Sequence, residues 1–294
     1  MQKFVLAEIT TKDNLVHQGI FFSPSTPTKK AILWVHGLTS RFYGDVGVMN
    51  LFAQACEEEG WGFASFNNRG HDIVTSIRKV DKRKKTGYAR TTGGAGYEIF
   101  SQSIHDIGAA ISFLASKGFS QIYVAGHSTG ANKACYYAAT KRDPKVAGIV
   151  LAGPMSDRSE YTRKKSTYTK LKEQMEEKIK NGEEQELLTR KDFFALTPNR
   201  WMSLYVPGSH EDVFNYMDKN NSLILFSQIR KPLLVVLSEL DEHADRPMKK
   251  IKEVFDARAK SKIYKSIILP GATHSYAGKE KEFVSAVTSW IKTL

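Results

Sequence analysis

The sequence predicts an α/β protein in which a mostly parallel sheet is covered by helices on both faces. Strand-sized apolar runs alternate along the chain with segments that have the apolar spacing of helices, which is typical of such a sheet. The later runs are apolar at almost every position, as expected for parallel strands that are buried on both faces. The first two runs are joined by the short polar sequence TKDN and predict an antiparallel hairpin near the N-terminus.

The predicted elements follow one another in a regular order, which one long segment interrupts. The predicted strands comprise residues 4–10, 15–22, 31–36, 62–67, 121–126, 146–152, 233–238 and 262–269. The predicted helices comprise residues 46–59, 97–117, 129–141, 246–259 and 279–294. Residues 154–229 contain no convincing strand pattern, and residues 160–186 are rich in Lys and Glu at helical spacing. We therefore expect an α/β core formed by residues 1–153 and 230–294, with residues 154–229 inserted into it as a helical cap.

The charge of the chain restricts its possible partners. The 294 residues include 43 Lys and Arg against 31 Asp and Glu, which gives a net charge of +12. Residues 78–90 (RKVDKRKKTGYAR) supply half of that charge. We interpret them as a solvated surface loop, with steering of anionic substrates as the alternative. A sequence-specific nucleic-acid partner is not expected, because no zinc-finger, RRM or helix-turn-helix pattern accompanies the charge.

The sequence carries no pattern of an exported or membrane-spanning protein. Its longest apolar runs are strand-sized, and the segment MQKFVLAEIT at the N-terminus lacks the apolar core of a signal peptide. Cys56 and Cys135 both lie in predicted helices, which does not suggest a disulfide framework. We expect a cytoplasmic protein without disulfide bonds or a transmembrane segment.

The most informative motif is GHSTG at residues 126–130. It directly follows a predicted strand and precedes a predicted helix, which is the context that a nucleophile elbow requires. Glycines on either side of Ser128 allow a sharp turn, and the N-terminus of the following helix favours a developing negative charge. Ser128 is therefore the candidate nucleophile. Because a serine hydroxyl reacts poorly at neutral pH without a base that an acid orients, a histidine and a carboxylate are expected elsewhere in the chain.

The chain resembles the α/β-hydrolase superfamily over essentially its whole length. This motif and further segments follow one another in the order that the family has. The segment LWVHGLTS matches the family's His-Gly turn. It implies that the backbone N–H of Leu38, together with that of Thr129, forms an oxyanion hole. The segment ASFNNRGHD resembles the family's strand-end D-x-R-G-x-G element, although Asn67 stands where the family usually has Asp. That element is structural in most members, so the departure bears little on catalysis.

The resemblance also implies the position of the base. Eight histidines are present, and His274 in LPGATHSYAG follows the last predicted strand, where the family has its base. His71 and His243 are the alternatives. The chain order Ser, Asp, His is that of α/β hydrolases.

The resemblance also implies the position of the acid, because the family has it three residues after the small residue that ends the preceding strand. Ser238 followed by Asp241 has this spacing, so Asp241 is the candidate acid. The alternatives are Glu242, Asp245 and the differently placed Asp157.

These residues predict a serine hydrolase that cleaves carboxylic esters through an acyl-enzyme on Ser128, with a small-molecule ester or acyl substrate. The segment TTGGAGYEIFSQSIHDIGAAISFLASKG resembles esterase-like and serine-aminopeptidase-like members, some of which hydrolyse siderophore esters. Amide, peptide or thioester hydrolysis, acyl transfer and a non-catalytic binding role in the same fold are the alternatives.

Neither a metal nor another cofactor is expected, because the sequence has no HExxH motif, Cys/His cluster or acidic metal box. The aromatic residues of the insertion suggest an acyl or aryl substrate, unless they serve only to pack against the core. They are Phe193, Phe194, Trp201, Tyr205, Phe214 and Tyr216.

Overall fold

The structure is a computed structural model that describes residues 3–159, 165–190, 193–218 and 222–294. Within them, a ten-stranded sheet has the order β12-β11-β8-β7-β3-β4-β2-β5-β6, with β1 paired to β2. The strands of this sheet are β1 (Val5–Thr10), β2 (Leu15–Phe22), β3 (Lys30–Val35), β4 (Gly62–Phe66), β5 (Thr75–Val80), β6 (Tyr88–Gly93), β7 (Gln121–His127), β8 (Val146–Ala152), β11 (Leu233–Ser238) and β12 (Tyr264–Leu269). A separate pair consists of β9 (Leu188–Arg190) and β10 (Phe193–Leu196).

The sheet is parallel from β12 to β4, whereas β1, β2, β5 and β6 pair in antiparallel fashion. This confirms the predicted mostly parallel sheet with an N-terminal hairpin. In such a sheet the C-terminal ends of the parallel strands share one edge, and the loops that follow them form the crevice where ligands bind. The loops after β3, β7, β8, β11 and β12 carry most of the candidate site.

Helices cover both faces of the sheet. Those described are α1 (Val46–Glu59), α2 (Ser103–Ser116), α3 (Thr129–Lys141), α4 (Lys165–Lys180), α5 (Pro198–Tyr205), α6 (Met248–Arg258) and α7 (Glu280–Lys292). The side chains of β3 alternate between two hydrophobic layers, as the pleat of a strand requires. Leu33 packs in the layer that contains α2, α3 and α6, and Trp34 packs in the layer that contains α1 and α7. Every helix in the described ranges is too short or too polar to cross a membrane.

Two elements of the core differ from the expectation. Residues 78–90, predicted to be a loop, belong to a hairpin in which β5 and β6 pair from Thr75 opposite Gly93 to Val80 opposite Tyr88. Burial of Ile77 anchors this charged hairpin on the core. The helix predicted over residues 97–117 begins only at Ser103, after a 3-10 turn, because Ile99 has an extended backbone.

The segment between β8 and β11 is not purely helical, so the expectation that it contains no strand is wrong. It contains α4, the antiparallel pair β9–β10, and α5. The two helices share a separate apolar cluster that includes Tyr168, Leu171 and Trp201. The assignment of residues 154–229 to a cap stays a prediction. Its residues 160–164, 191–192 and 219–221 lie outside the described part of the chain.

Candidate active site

Ser128 occupies a sharp turn between β7 and α3. Its backbone has φ 56° and ψ −129°, a conformation that strains a residue with a side chain. The flanking glycines permit this turn. A Cβ at Gly126 would overlap the backbone of Gly130, and a Cβ at Gly130 would overlap the carbonyl oxygen of Val35. The turn therefore has the geometry of a nucleophile elbow, with Ser128 at the N-terminus of α3.

A histidine and a carboxylate meet beyond the ends of β11 and β12. The Nδ1–H of His274 donates a hydrogen bond of 2.8 Å to Oδ2 of Asp241, whose side chain is fully buried. The other carboxylate oxygen accepts the backbone N–H of His243 at 3.0 Å. A proton on Nδ1 leaves Nε2 as the accepting nitrogen of the neutral ring, which is the form that a general base requires.

The alternative candidates for acid and base have other partners. Asp245 forms an ion pair of 2.7 Å with the arginine that follows it. Glu242 accepts the backbone N–H of His274 at 3.0 Å and so contacts its main chain. His71 bonds through Nδ1 to the backbone oxygen of Asn68 at 2.8 Å.

Ser128 and His274 line the same cavity, which has a volume of about 600 Å³. Leu38 and Thr129, the predicted donors of the oxyanion hole, line it too. A Cβ on the glycine before Leu38 would lie 2.9 Å from the Cβ of Ser128, so the loop after β3 passes directly beside the serine. The structure thus brings the five predicted site residues together: four line the cavity, and the carboxylate of Asp241 is bonded to His274.

Two further histidines contact His274 in ways that the sequence does not reveal. The Nε2–H of His127 donates to the backbone oxygen of His274 at 2.8 Å, and its ring stacks on Trp34 with 6.0 Å between centroids. Burial, and then the charge of His274, lower the pKa of His127 to about 4, so its ring is neutral at pH 7. His243 presents its ring perpendicular to His274, with 4.6 Å between centroids. His127 and His274 are 147 positions apart, which is why no local pattern predicts their contact.

The cavity lining is acidic, although the whole chain carries a charge of +12. Asp45, Asp157 and Glu280 line the cavity together with one arginine, Arg41. The guanidinium of Arg41 pairs with Asp72 at 2.6 Å. Burial, and to a smaller extent the charge of Glu280, raise the pKa of Asp45. The lining therefore disfavours a negatively charged ligand.

The aromatic residues of the insertion serve mainly to pack the interior. Trp201 is fully buried against α4, and Phe214 and Tyr216 pack on α6. Tyr205 lines the cavity, whereas the side chain of Phe193 lies outside the described part of the chain. Phe194 packs against the cluster that contains Trp201, so Tyr205 alone among the five described side chains supports the suggestion of an aromatic pocket.

A buried network of charges joins the insertion to the core. Arg200 of α5 is fully buried and pairs with Glu211 and, at 3.1 Å, with Glu98. Lys133 of α3 pairs with the other oxygen of Glu98 at 2.7 Å. Because buried charges are tolerated only when they are paired, these contacts hold α5 against the core beside α3.

The sheet order, the elbow and the loops around it are those of the α/β-hydrolase fold. Residues 84–292 match the family described as "Protein of unknown function (DUF1749)", and the chain belongs to this family. No curated protein matches the sequence. Across the described residues, no group of three or more His, Cys, Asp or Glu side chains is arranged to hold a metal ion.

Solved structures that resemble the chain over nearly its whole length share this fold. The siderophore hydrolase EstB from Aspergillus fumigatus has a TM-score of 0.68 at 16% identity, covering 100% of this chain and 98% of its own. Est1E from Butyrivibrio proteoclasticus, solved with ferulic acid bound, has a TM-score of 0.66 at 17% identity, with 98% of each chain covered. The Pyrococcus furiosus esterase Pf2001 has a TM-score of 0.62 at 19% identity, covering 99% of this chain and 91% of its own. At these identities the likeness shows the α/β-hydrolase fold.

Proposed function

We propose that the protein is a serine hydrolase that cleaves carboxylic esters. The observation that carries this proposal is the shared cavity. It is lined by Ser128 in its strained turn and by His274, whose Nδ1–H is bonded to the buried carboxylate of Asp241. A nucleophile, a base and an orienting acid in chain order Ser, Asp, His are the components of acyl transfer in this fold.

In the proposed reaction, Nε2 of His274 takes the hydroxyl proton while Oγ of Ser128 bonds to the acyl carbon. The carbonyl oxygen becomes an oxyanion that accepts hydrogen bonds from the backbone N–H groups of Leu38 and Thr129. Collapse of this intermediate breaks the ester bond, and the leaving alcohol receives the proton from Nε2. Water then repeats the same steps on the acyl-enzyme, and Asp241 stabilises the charged ring in both halves.

The comparisons support the choice of ester substrates. Among the structures that share the fold, one is named an esterase, one a siderophore hydrolase, and one holds ferulic acid. We also propose that residues 154–229 act as a cap that shapes the pocket, since Tyr205 of α5 and Ser159 after β8 both line the cavity.

The test combines a serine-directed probe with an ester panel. A fluorophosphonate should label the wild-type protein and not Ser128→Ala, and esters graded by acyl chain length should be hydrolysed. Ser128→Ala should fold normally and lose about 10⁴-fold or more in kcat. Ser275→Ala, which removes another hydroxyl from the same cavity, is the matched control. A folded Ser128→Ala with wild-type turnover contradicts the serine mechanism, and labelling without turnover of any ester contradicts esterase activity.

A further inference from the structure

The cavity contains a carboxylate that the proposed triad does not use. Asp157 follows β8 and lines the cavity beside the triad. With the described residues it forms no ion pair, and it accepts a long hydrogen bond of 3.4 Å from Nδ2 of Asn132. The buried Glu211 also contributes negative charge here, and it is already paired with Arg200. Asp157 is therefore available to a ligand.

Polar atoms with unused bonding capacity surround this part of the cavity. Ser156 and Thr129 are each 3% exposed and line the cavity, and their hydroxyl groups have no hydrogen-bond partner among the described residues. The amide oxygen of Asn132, a residue 1% exposed, has no such partner either. Buried polar atoms are normally hydrogen-bonded, so these groups leave bonding capacity unused near Asp157. A polar ligand group fits this part of the cavity better than an apolar one.

The charge of the cavity lining favours some polar ligand groups over others. Asp45, Asp157 and Glu280 face the cavity, while Arg41 is engaged with Asp72. A carboxylate or phosphate would meet like charge, and a hydroxyl would satisfy hydrogen bonds without balancing the charge. An ammonium group donates three hydrogen bonds and brings the opposite charge.

We infer that the cavity binds a substrate that carries a protonated amine, and that the carboxylate of Asp157 receives this amine. The inference rests on the proposed function, because the same cavity presents the ester to Ser128. The substrates are then cationic esters, and Ser128 and His274 act on them through the same steps as on other esters.

The surroundings of Asp157 predict how such binding depends on pH. Burial, and then the charge of Glu211, raise the pKa of Asp157 to about 7; Arg200 and His274 act in the opposite direction, and Asp212 raises it further. A bound ammonium favours the ionised carboxylate. Binding should therefore tighten between about pH 6 and pH 8 as Asp157 loses its proton, a range in which an alkylamine keeps its charge.

The test uses three unbranched inhibitors of equal chain length: an alkylammonium, an alkanol and an alkanoate. Each competes with a neutral ester, so the result does not depend on whether the amine belongs to the acyl or the alcohol part. In the wild type at pH 8, the ammonium should inhibit about tenfold more tightly than the alkanol, and the alkanoate most weakly. Asp157→Asn should lose most of this preference for the ammonium over the alkanol. Glu280→Gln, which removes another carboxylate of the lining, should keep most of it.

Three results overturn the inference. They are equal inhibition by ammonium and alkanol, an equal loss of preference in Glu280→Gln and Asp157→Asn, and no tightening of ammonium inhibition between about pH 6 and pH 8 in the wild type. The last measurement needs no variant, so it holds even when Asp157→Asn fails to fold.

Calorimetric titration of Ser128→Ala with the same three molecules measures the preference without catalysis. Fluorophosphonate labelling of the wild type reports the reactivity of Ser128 separately. A labelled protein without ammonium preference refutes only the inference, whereas an unlabelled protein refutes the proposed function.

Discussion

Replacing Asp241 with asparagine removes the charge that faces His274 and keeps the size of the side chain. The carboxylate lies 2.8 Å from Nδ1 and is fully buried, so solvent does not shield the interaction. An asparagine that donates its amide N–H to Nδ1 forces the ring proton onto Nε2, where it blocks the base. One that accepts with its oxygen lacks the charge that stabilises the imidazolium. In either case we expect kcat to fall by about 10⁴-fold, or about 5.5 kcal/mol in the activation barrier.

The assay compares kcat for Asp241→Asn with Glu242→Gln and Asp245→Asn on one ester. Glu242 bonds to the main chain of His274, and Asp245 pairs with an arginine, so each control should lose less than about tenfold. Thermal unfolding is measured in parallel, because Asp241 also accepts the N–H of His243. The assignment of the acid is refuted if a folded Asp241→Asn loses less than about tenfold in kcat, or if Asp245→Asn loses more kcat than Asp241→Asn does.

Two further predictions concern charges outside the proposed triad. Arg200→Met leaves Glu98 and Glu211 as buried carboxylates without this partner, so the free energy of unfolding measured in urea should fall by about 3–5 kcal/mol. A fall below about 1 kcal/mol would contradict this, and adding Glu211→Gln should recover part of the loss. On the β5–β6 hairpin, four exposed cations are changed to Ser together: Lys82, Arg83, Lys84 and Lys85. The variant should show the same dependence of kcat/KM on salt as the wild type, for neutral and for anionic esters, because the acidic cavity repels anions. A salt-sensitive preference of the wild type for the anionic ester, lost in the variant, would support steering.

Exposed and buried charges have different effects in this protein. The four cations at the tip of the hairpin, Lys82, Arg83, Lys84 and Lys85, are exposed, so salt screens them. The charges of Arg200, Lys133, Glu98 and Glu211 are buried, and removing one of them leaves the others without compensation. Net charge alone therefore says little about the charge that a ligand meets.

The sequence by itself determined the fold class and the position of Ser128. Apolar periodicity and glycine spacing act within a few residues, so they predict strands, helices and the elbow without reference to the rest of the chain. These patterns did not predict the β5–β6 hairpin, because charged residues dominate its sequence. Its strands form where Ile77 is buried and where β5 pairs with β2, and both contacts depend on distant residues.

Only the tertiary structure decided which carboxylate meets the ring of His274. Asp241, Glu242 and Asp245 lie in one short loop, and their spacing alone left all three as candidates. The path of the chain after β11 directs Asp241 to Nδ1 and Glu242 to the main chain.

The tertiary structure likewise decided what surrounds the serine. The carboxylates of the lining come from three segments that are far apart in sequence: Asp45, Asp157 and Glu280. They meet because the loops after parallel strands gather at one edge of the sheet, and long-range contacts of this kind leave no local pattern in the chain.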